Sequence, residues 1–440
     1  MSPWPSKSST VTLQHFLVVW VVMVAVWGSE SYSKCDFEAI FNFGDSNSDT
    51  GGFWAAFPAQ SGPFGMTYFK RPAGRASDGR LMVDFLGILS STIAQALGLP
   101  FLSPYLQSIG SDYRHGANYA TLASTVLLPN TSLFVTGISP FSLAIQINQM
   151  KEFKVKVHEF HSARKQGVYS VLTMIQASQL CSFFLFLNAP LRIDIYSETK
   201  LILAPCLSGS TPLPSPDVFG KSLYTFYIGQ NDFTSNLAAI GIGGVKQYLP
   251  QVAAQIAGSI KELYALGGRA FLVLNLAPIG CYPAFLVQLH HSTSDIDASG
   301  CLISYNNAVV DYNNMLKKAL SQARTALPEA SLIYVDIHAI LLELFQHPSS
   351  HGLKYGTKAC CGRGGGQYNF DPKAYCGNTR VINGSTETAS ACGDPDSYVS
   401  WDGIHATEAA NKLATIAILN GSFFDPPFPL HHLCDLQPIN

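Results

Sequence analysis

A chain of 440 residues that is 47% hydrophobic and only 13% charged can bury a large core, and that balance argues against intrinsic disorder. Net charge is −2, with Lys and Arg scattered rather than clustered, so nucleic acid is excluded as a partner. Length alone would allow two or three domains, but α/β enzymes of this size often form one.

Residues 1–33 read as an address. Lys7 lies in a short polar lead, Phe16–Trp27 is an uncharged apolar run, and Ser31 and Ser33 offer small residues for cleavage. A helix over that run rises about 18 Å, short of the roughly 30 Å of a bilayer core. The expectation is a cleaved secretory signal, with an uncleaved anchor as the alternative. The remaining chain, 34–440, is expected to form a single domain.

The first predicted strand, Glu38–Phe43, runs into Phe-Asn-Phe-Gly-Asp-Ser-Asn-Ser-Asp-Thr-Gly-Gly at 41–52, which places Ser46 on a turn. A helix is predicted over Met82–Leu97, and Gly116-Ala-Asn-Tyr-Ala follows. The stretch from Val168 to Leu191 carries no charge and no clear period. Gln176, Gln179, Asn188 and Pro190 make it a poor membrane span, and a span there would separate Ser46 from the C-terminal motifs, so no stable span is expected. Beyond it come a strand at Ser222–Ile228 leading into Gly229-Gln-Asn-Asp, a helix at Val252–Leu266 and a strand at Ala270–Leu276. A helix at Tyr305–Leu327 and a strand at Ser331–Ile337 follow. Trp401-Asp-Gly-Ile-His then opens a last helix at Ala406–Leu419. Such alternation predicts an α/β sandwich with a mainly parallel sheet, whose ligands bind beyond the carboxyl ends of the strands. Ser46 and Asn231 both fall on that edge.

A hydroxyl becomes a nucleophile at neutral pH when a base takes its proton and a carboxylate orients that base. Ser46, His405 and Asp402 supply those three groups; Asp402 alone could equally be a helix cap, and Ser46 a turn residue. Asp45, Asp49 and Asp232 could be read as a metal site, but no histidine lies close to them in sequence, and neither metal nor cofactor is expected. The glycine-rich run after Cys360 and Cys361 lacks the Gly-Lys-Ser/Thr ending of a phosphate loop. With Cys376 and Cys392 these cysteines are expected to staple that loop by disulfides, and Cys281 with Cys301 to close another. Sequons at Asn130, Asn383 and Asn420 agree with a secretory route.

Four blocks in order carry a family resemblance: Phe43-Gly-Asp-Ser-Asn-Ser-Asp, Gly116-Ala-Asn-Tyr-Ala, Gly229-Gln-Asn-Asp and Asp402-Gly-Ile-His. The chain resembles plant GDSL esterases/lipases of the SGNH hydrolase superfamily, nearest to the early nodulin-like and acetylesterase members. The resemblance implies a three-layer α/β/α sandwich with a mainly parallel, five-stranded, flavodoxin-like sheet. Ser46 is its implied nucleophile, with His405 as base and Asp402 as orienter. The oxyanion donors implied are the N–H groups of Ser46 and Gly116 and the Asn231 amide. The substrate implied is a small-molecule or carbohydrate ester bearing a short acyl or acetyl group, met in the apoplast or cell wall. Acyl transfer by the same triad and a non-catalytic binding role are the alternatives; alcohol acceptors and a Ser46→Ala comparison separate them.

Relatives of this kind pass almost directly from a Lys-Gln-Gly like 165–167 to a Leu-Pro-Ser-Pro-Asp like 213–217. The segment at about 168–210 is therefore an atypical insertion, expected to be a retained intron or gene-model error, with a real loop near the cleft as the alternative. It holds Cys181 and Cys206, and its removal leaves an even eight of the ten cysteines.

Overall fold

The computed structural model describes residues 37–86, 99–129, 138–168, 211–382 and 384–428. The expected signal segment at 1–33, most of the 168–210 segment, Asn130 and Asn383 lie outside these residues, as does the greater part of the helix expected at 82–97.

The central sheet is built from β1 (Ala39–Gly44), β2 (Gly116–Asn118), β3 (Ser222–Tyr227), β4 (Ala270–Leu274) and β5 (Ser331–Val335). Their spatial order is β5-β4-β3-β1-β2, all pairs parallel. A sixth strand, Phe424–Asp425, pairs antiparallel with β5, so the sheet has one strand more than the five expected. No sequence signal marks it, because two residues carry no period.

Every residue of β1, β3 and β4 is buried, which requires cover on both faces and explains why these strands read as mainly apolar runs; the buried polar pair inside them, Asn42 and Thr225, hydrogen-bond to each other at 2.7 Å. The flanking helices include α1 (Gly52–Ala56), α2 (Leu143–Val168), α3 (Gln230–Thr234), α4 (Leu237–Ala265), α5 (Ile303–Arg324), α6 (Ile337–Gln346) and α7 (Glu408–Leu419). The α4 segment is longer than the helix expected at 252–266. It runs through Pro250 and is kinked at Gly241, whose non-helical backbone joins two helical pieces.

Helix α7 begins later than expected. Thr407 caps it by accepting from the Ala410 N–H, so Asp402 and His405 lie in the turn before the helix. Cys281–Cys301 forms as expected, the glycine-rich loop is stapled by Cys360–Cys392 and Cys361–Cys376, a pairing that the sequence left open, and no free cysteine occurs among the described residues.

Candidate active site

Because β1, β2 and β3 are parallel, the segments leaving them meet on one edge. Ser46 stands two residues past β1 and is only 4% exposed. Gly44, which ends β1, has no room for a side chain: a Cβ there would lie 2.0 Å from Ser48 Oγ and 2.9 Å from the Tyr227 carbonyl. Gln146 of α2 fastens the same residue, accepting from the Gly44 N–H at 2.9 Å and donating to its carbonyl at 2.8 Å. The turn is closed by Asp45, whose carboxylate accepts from the Asn47 N–H and side-chain amide at 3.0 and 2.9 Å.

The acid–base loop arrives from far along the chain. Asp402 Oδ1 accepts from the N–H groups of Ile404 (3.0 Å) and His405 (2.9 Å), and its Oδ2 lies 2.7 Å from His405 Nδ1. His405 Nε2 lies 2.8 Å from Ser46 Oγ. A carboxylate cannot donate, so Nδ1 carries the proton and Nε2 is left to accept from the serine hydroxyl. The disulfide-stapled loop holds this arrangement from behind. Cys360 N–H donates to the Ser400 carbonyl (3.0 Å), Cys361 N–H to the Trp401 carbonyl (2.6 Å), and Trp401 N–H to the His405 carbonyl (2.7 Å).

Burial disfavours the charged form of His405, but the charge and hydrogen bond of Asp402, with a smaller contribution from Asp45, outweigh it and raise the imidazole above its ordinary 6.5. Burial alone would raise Asp402; His405 and the two backbone donors reverse that and hold it below the ordinary carboxylate value. The three acids considered as metal ligands have other duties. Asp45 and Asp49 are each pushed up to about 6 and Asp232 to about 7, in every case first by burial, while their oxygens accept from neighbouring N–H groups.

Asn231, at the start of α3, reaches the same edge. Its side-chain amide donates one hydrogen to the Ser124 carbonyl at 2.9 Å, and the other meets no acceptor among the described residues. Gly116 is not brought there. It opens β2 opposite Ile40, four residues and about 13 Å back along β1 from its carboxyl end, and its N–H donates to Tyr113. Its glycine is required instead by close packing: φ is +106°, and a Cβ would fall 1.8 Å from the Ile40 carbonyl oxygen.

The segment of that motif which does reach the edge is the loop after β2. Leu122 N–H donates to Asp49 Oδ2 at 2.8 Å, which ties the loop to a residue three past Ser46. Between Leu122 and Ser124 sits Ala123, in the left-handed region at φ +63°, and its N–H meets no described acceptor. The Ser46 N–H is equally unpartnered among the described residues. Sequence reading had no means of finding Ala123, since alanine carries no signal for that conformation.

Of the aromatic residues that follow the nucleophile, two kinds emerge. Phe64 packs edge-on to Trp401 and Tyr68 lies under the Arg80 guanidinium, so both support the fold. Trp54 and Phe57 are half-buried and join Phe53 and Phe141 in one ring cluster.

The model of the GDSL-like lipase/acylhydrolase family matches residues 40–418. The chain belongs to that family. It is similar to GDSL esterase/lipase At4g01130 of Arabidopsis thaliana, at 61% identity over 96% of this chain and 97% of the relative. An esterase of Hevea brasiliensis is 37% identical over 98% of this chain and 96% of its own. GDSL esterase/lipase ENOD8 of Medicago truncatula is 38% identical, with 91% of each covered, so the expected placement beside the early nodulin-like members gives way to a nearer relative. The chain is thus a carboxylic ester hydrolase of the GDSL esterase/lipase type.

Proposed function

We propose that the chain is a secreted serine esterase that removes short acyl groups, acetyl above all, from sugars or specialised metabolites through an acyl-enzyme. The observation that carries the mechanism is the continuous run from Asp402 through His405 to Ser46, with contacts of 2.7 and 2.8 Å. Ser46 Oγ attacks the ester carbonyl as His405 Nε2 takes its proton. Asp402 keeps the imidazole in the required tautomer and stabilises it once charged. The oxyanion is met by the N–H groups of Ser46 and Ala123 and by the second amide hydrogen of Asn231. Ala123 takes the place first assigned to Gly116. The alcohol leaves with the proton from His405, and water then repeats the sequence on the acyl-enzyme.

Secretion is supported by the apolar leader, by three disulfides and by the sequon residue Asn420, which is exposed at the end of α7. The insertion reading is supported by the contacts that frame it. His161 of α2 contacts the Pro214 carbonyl at 2.9 Å, and Tyr113 N–H donates to Pro212 at 2.7 Å. The chain thus returns to α2 seven residues, about 10 Å, before that helix ends, and a short link suffices between them. Abundant mature transcript containing the segment would sink the retained-intron idea.

The deciding experiment compares hydrolysis of p-nitrophenyl acetate by the wild type and Ser46→Ala. Loss of turnover in the variant is expected; equal rates would refute the nucleophile.

A further inference from the structure

Two buried carboxylates outside the triad grip the loop that carries Ala123. Asp49, fully buried, accepts from four backbone N–H groups. Three open α1, namely Gly51 (2.8 Å), Gly52 (2.6 Å) and Phe53 (3.1 Å). The fourth is Leu122 at 2.8 Å, on the residue before Ala123. Asp232, 4% exposed, accepts from Val126 at 2.6 Å and Leu127 at 3.0 Å, on the far side of Ala123. Its neighbour Asn231 donates to Ser124 between them.

The loop from 122 to 127 is thus fastened at both ends by acids, and each acid belongs to a segment that also carries a reacting group. Asp49 lies three residues past Ser46, and Asp232 is next to Asn231. Burying a carboxylate is costly unless donors surround it, and here the loop supplies one of the four donors to Asp49 and the Val126 and Leu127 donors to Asp232.

We propose that Asp49 and Asp232 are positioning residues that preorganise the oxyanion site, holding the Ala123 N–H in register with Ser46 and Asn231. This rests on the esterase reading above. A donor works in catalysis only if it already points where the oxyanion will form, and a displacement near 1 Å can cost about 100-fold. The acids touch neither substrate nor reacting atoms, so their loss acts on the transition state and leaves ground-state binding alone.

Asp232→Asn and Asp49→Asn test this. An amide offers one acceptor oxygen, and its NH2 opposes the N–H groups that the second carboxylate oxygen received. Each variant is expected to lose about 10- to 100-fold in kcat on p-nitrophenyl acetate, with KM within about threefold. Inhibition by a trifluoromethyl ketone, which forms a tetrahedral oxyanion on Ser46, should weaken by a similar factor. An unchanged kcat, or a loss confined to KM, overturns the proposal. Should the variants not fold, residue-resolved amide hydrogen exchange on the wild-type protein decides it. Leu122, Val126 and Leu127 are expected to be protected while Ala123 exchanges freely; exchange of all four at one fast rate overturns the clamp. That measurement needs no turnover, so an inactive wild type would count against the esterase reading and not against the clamp.

Discussion

Replacing Asp402 by Asn removes one charge and leaves the loop's skeleton intact. The Asn oxygen can still accept from Ile404 and His405, as Asp402 Oδ1 does at 3.0 and 2.9 Å. Its NH2 then faces His405 Nδ1, where Oδ2 stood at 2.7 Å. Two donors cannot share that contact, so Nδ1 must give up its hydrogen and Nε2 must carry it. The nitrogen 2.8 Å from Ser46 Oγ is then a donor and cannot receive the serine proton. Wrong-tautomer variants of this kind lose about 10⁴-fold in kcat, or about 5 kcal/mol of barrier. Folding should change by only about 1 kcal/mol, because the backbone bonds persist. The assay is kcat for p-nitrophenyl acetate together with a thermal midpoint. The acidic limb of the pH profile supplies a second readout, and it should move down once the anion that raises His405 is gone. A fall in kcat below about tenfold with an unchanged midpoint would refute the tautomer argument.

Activity needs neutral His405, whose raised value sets the acidic limb of kcat/KM above the ordinary 6.5, and a wild-type profile with its midpoint below 6 would contradict this. Thermal stability should run the opposite way. Asp45, Asp49 and Asp232 titrate at about 6, 6 and 7 in the folded protein against 3.8 ordinarily, so the stability they lend is full below 3.8 and lost as pH rises through 6–7. The His405 contribution is likewise lost above 6.5, so the melting midpoint should be higher at pH 5 than at pH 8; a steady rise between them would reverse the sign. Cys361→Ser with Cys376→Ser opens a loop of separation 15, which should cost about 3 kcal/mol and lower kcat through the Trp401 anchor, read by calorimetry and turnover. Ala123→Gly relieves the left-handed strain, so kcat should hold within about threefold and stability should stay within about 1 kcal/mol; a collapse of kcat would mean that the methyl group matters and not the N–H.

Local physics determined much of this protein from sequence alone. Strands β1, β3, β4 and β5 were legible because strands covered on both faces are mainly apolar, and their ends fell within two residues of the expected ones. The order of the blocks along the chain then placed Ser46 and Asn231 on one edge, since parallel strands share their carboxyl ends. Asp402 and His405 were legible as a pair because three residues of separation close a turn whatever follows, although that turn proved to precede the helix.

Tertiary structure alone decided what needed distance and direction. Gly116 looked like a donor in its motif, but register puts it opposite Ile40, at the wrong end of the strand. The donor proposed in its place lies in the loop seven residues on, where Ala123 adopts a backbone conformation that alanine does not advertise. Asp49 and Asp232 were weighed from sequence only as metal ligands, and the fold alone brought against them N–H groups of a loop some seventy to a hundred residues away in sequence. The sixth strand was invisible because its two residues owe their conformation to β5. Sequence settled which groups could react, because chemistry belongs to side chains. Which N–H groups are left without a described acceptor beside Ser46 emerged only from the fold, because every residue has one and only geometry distinguishes them.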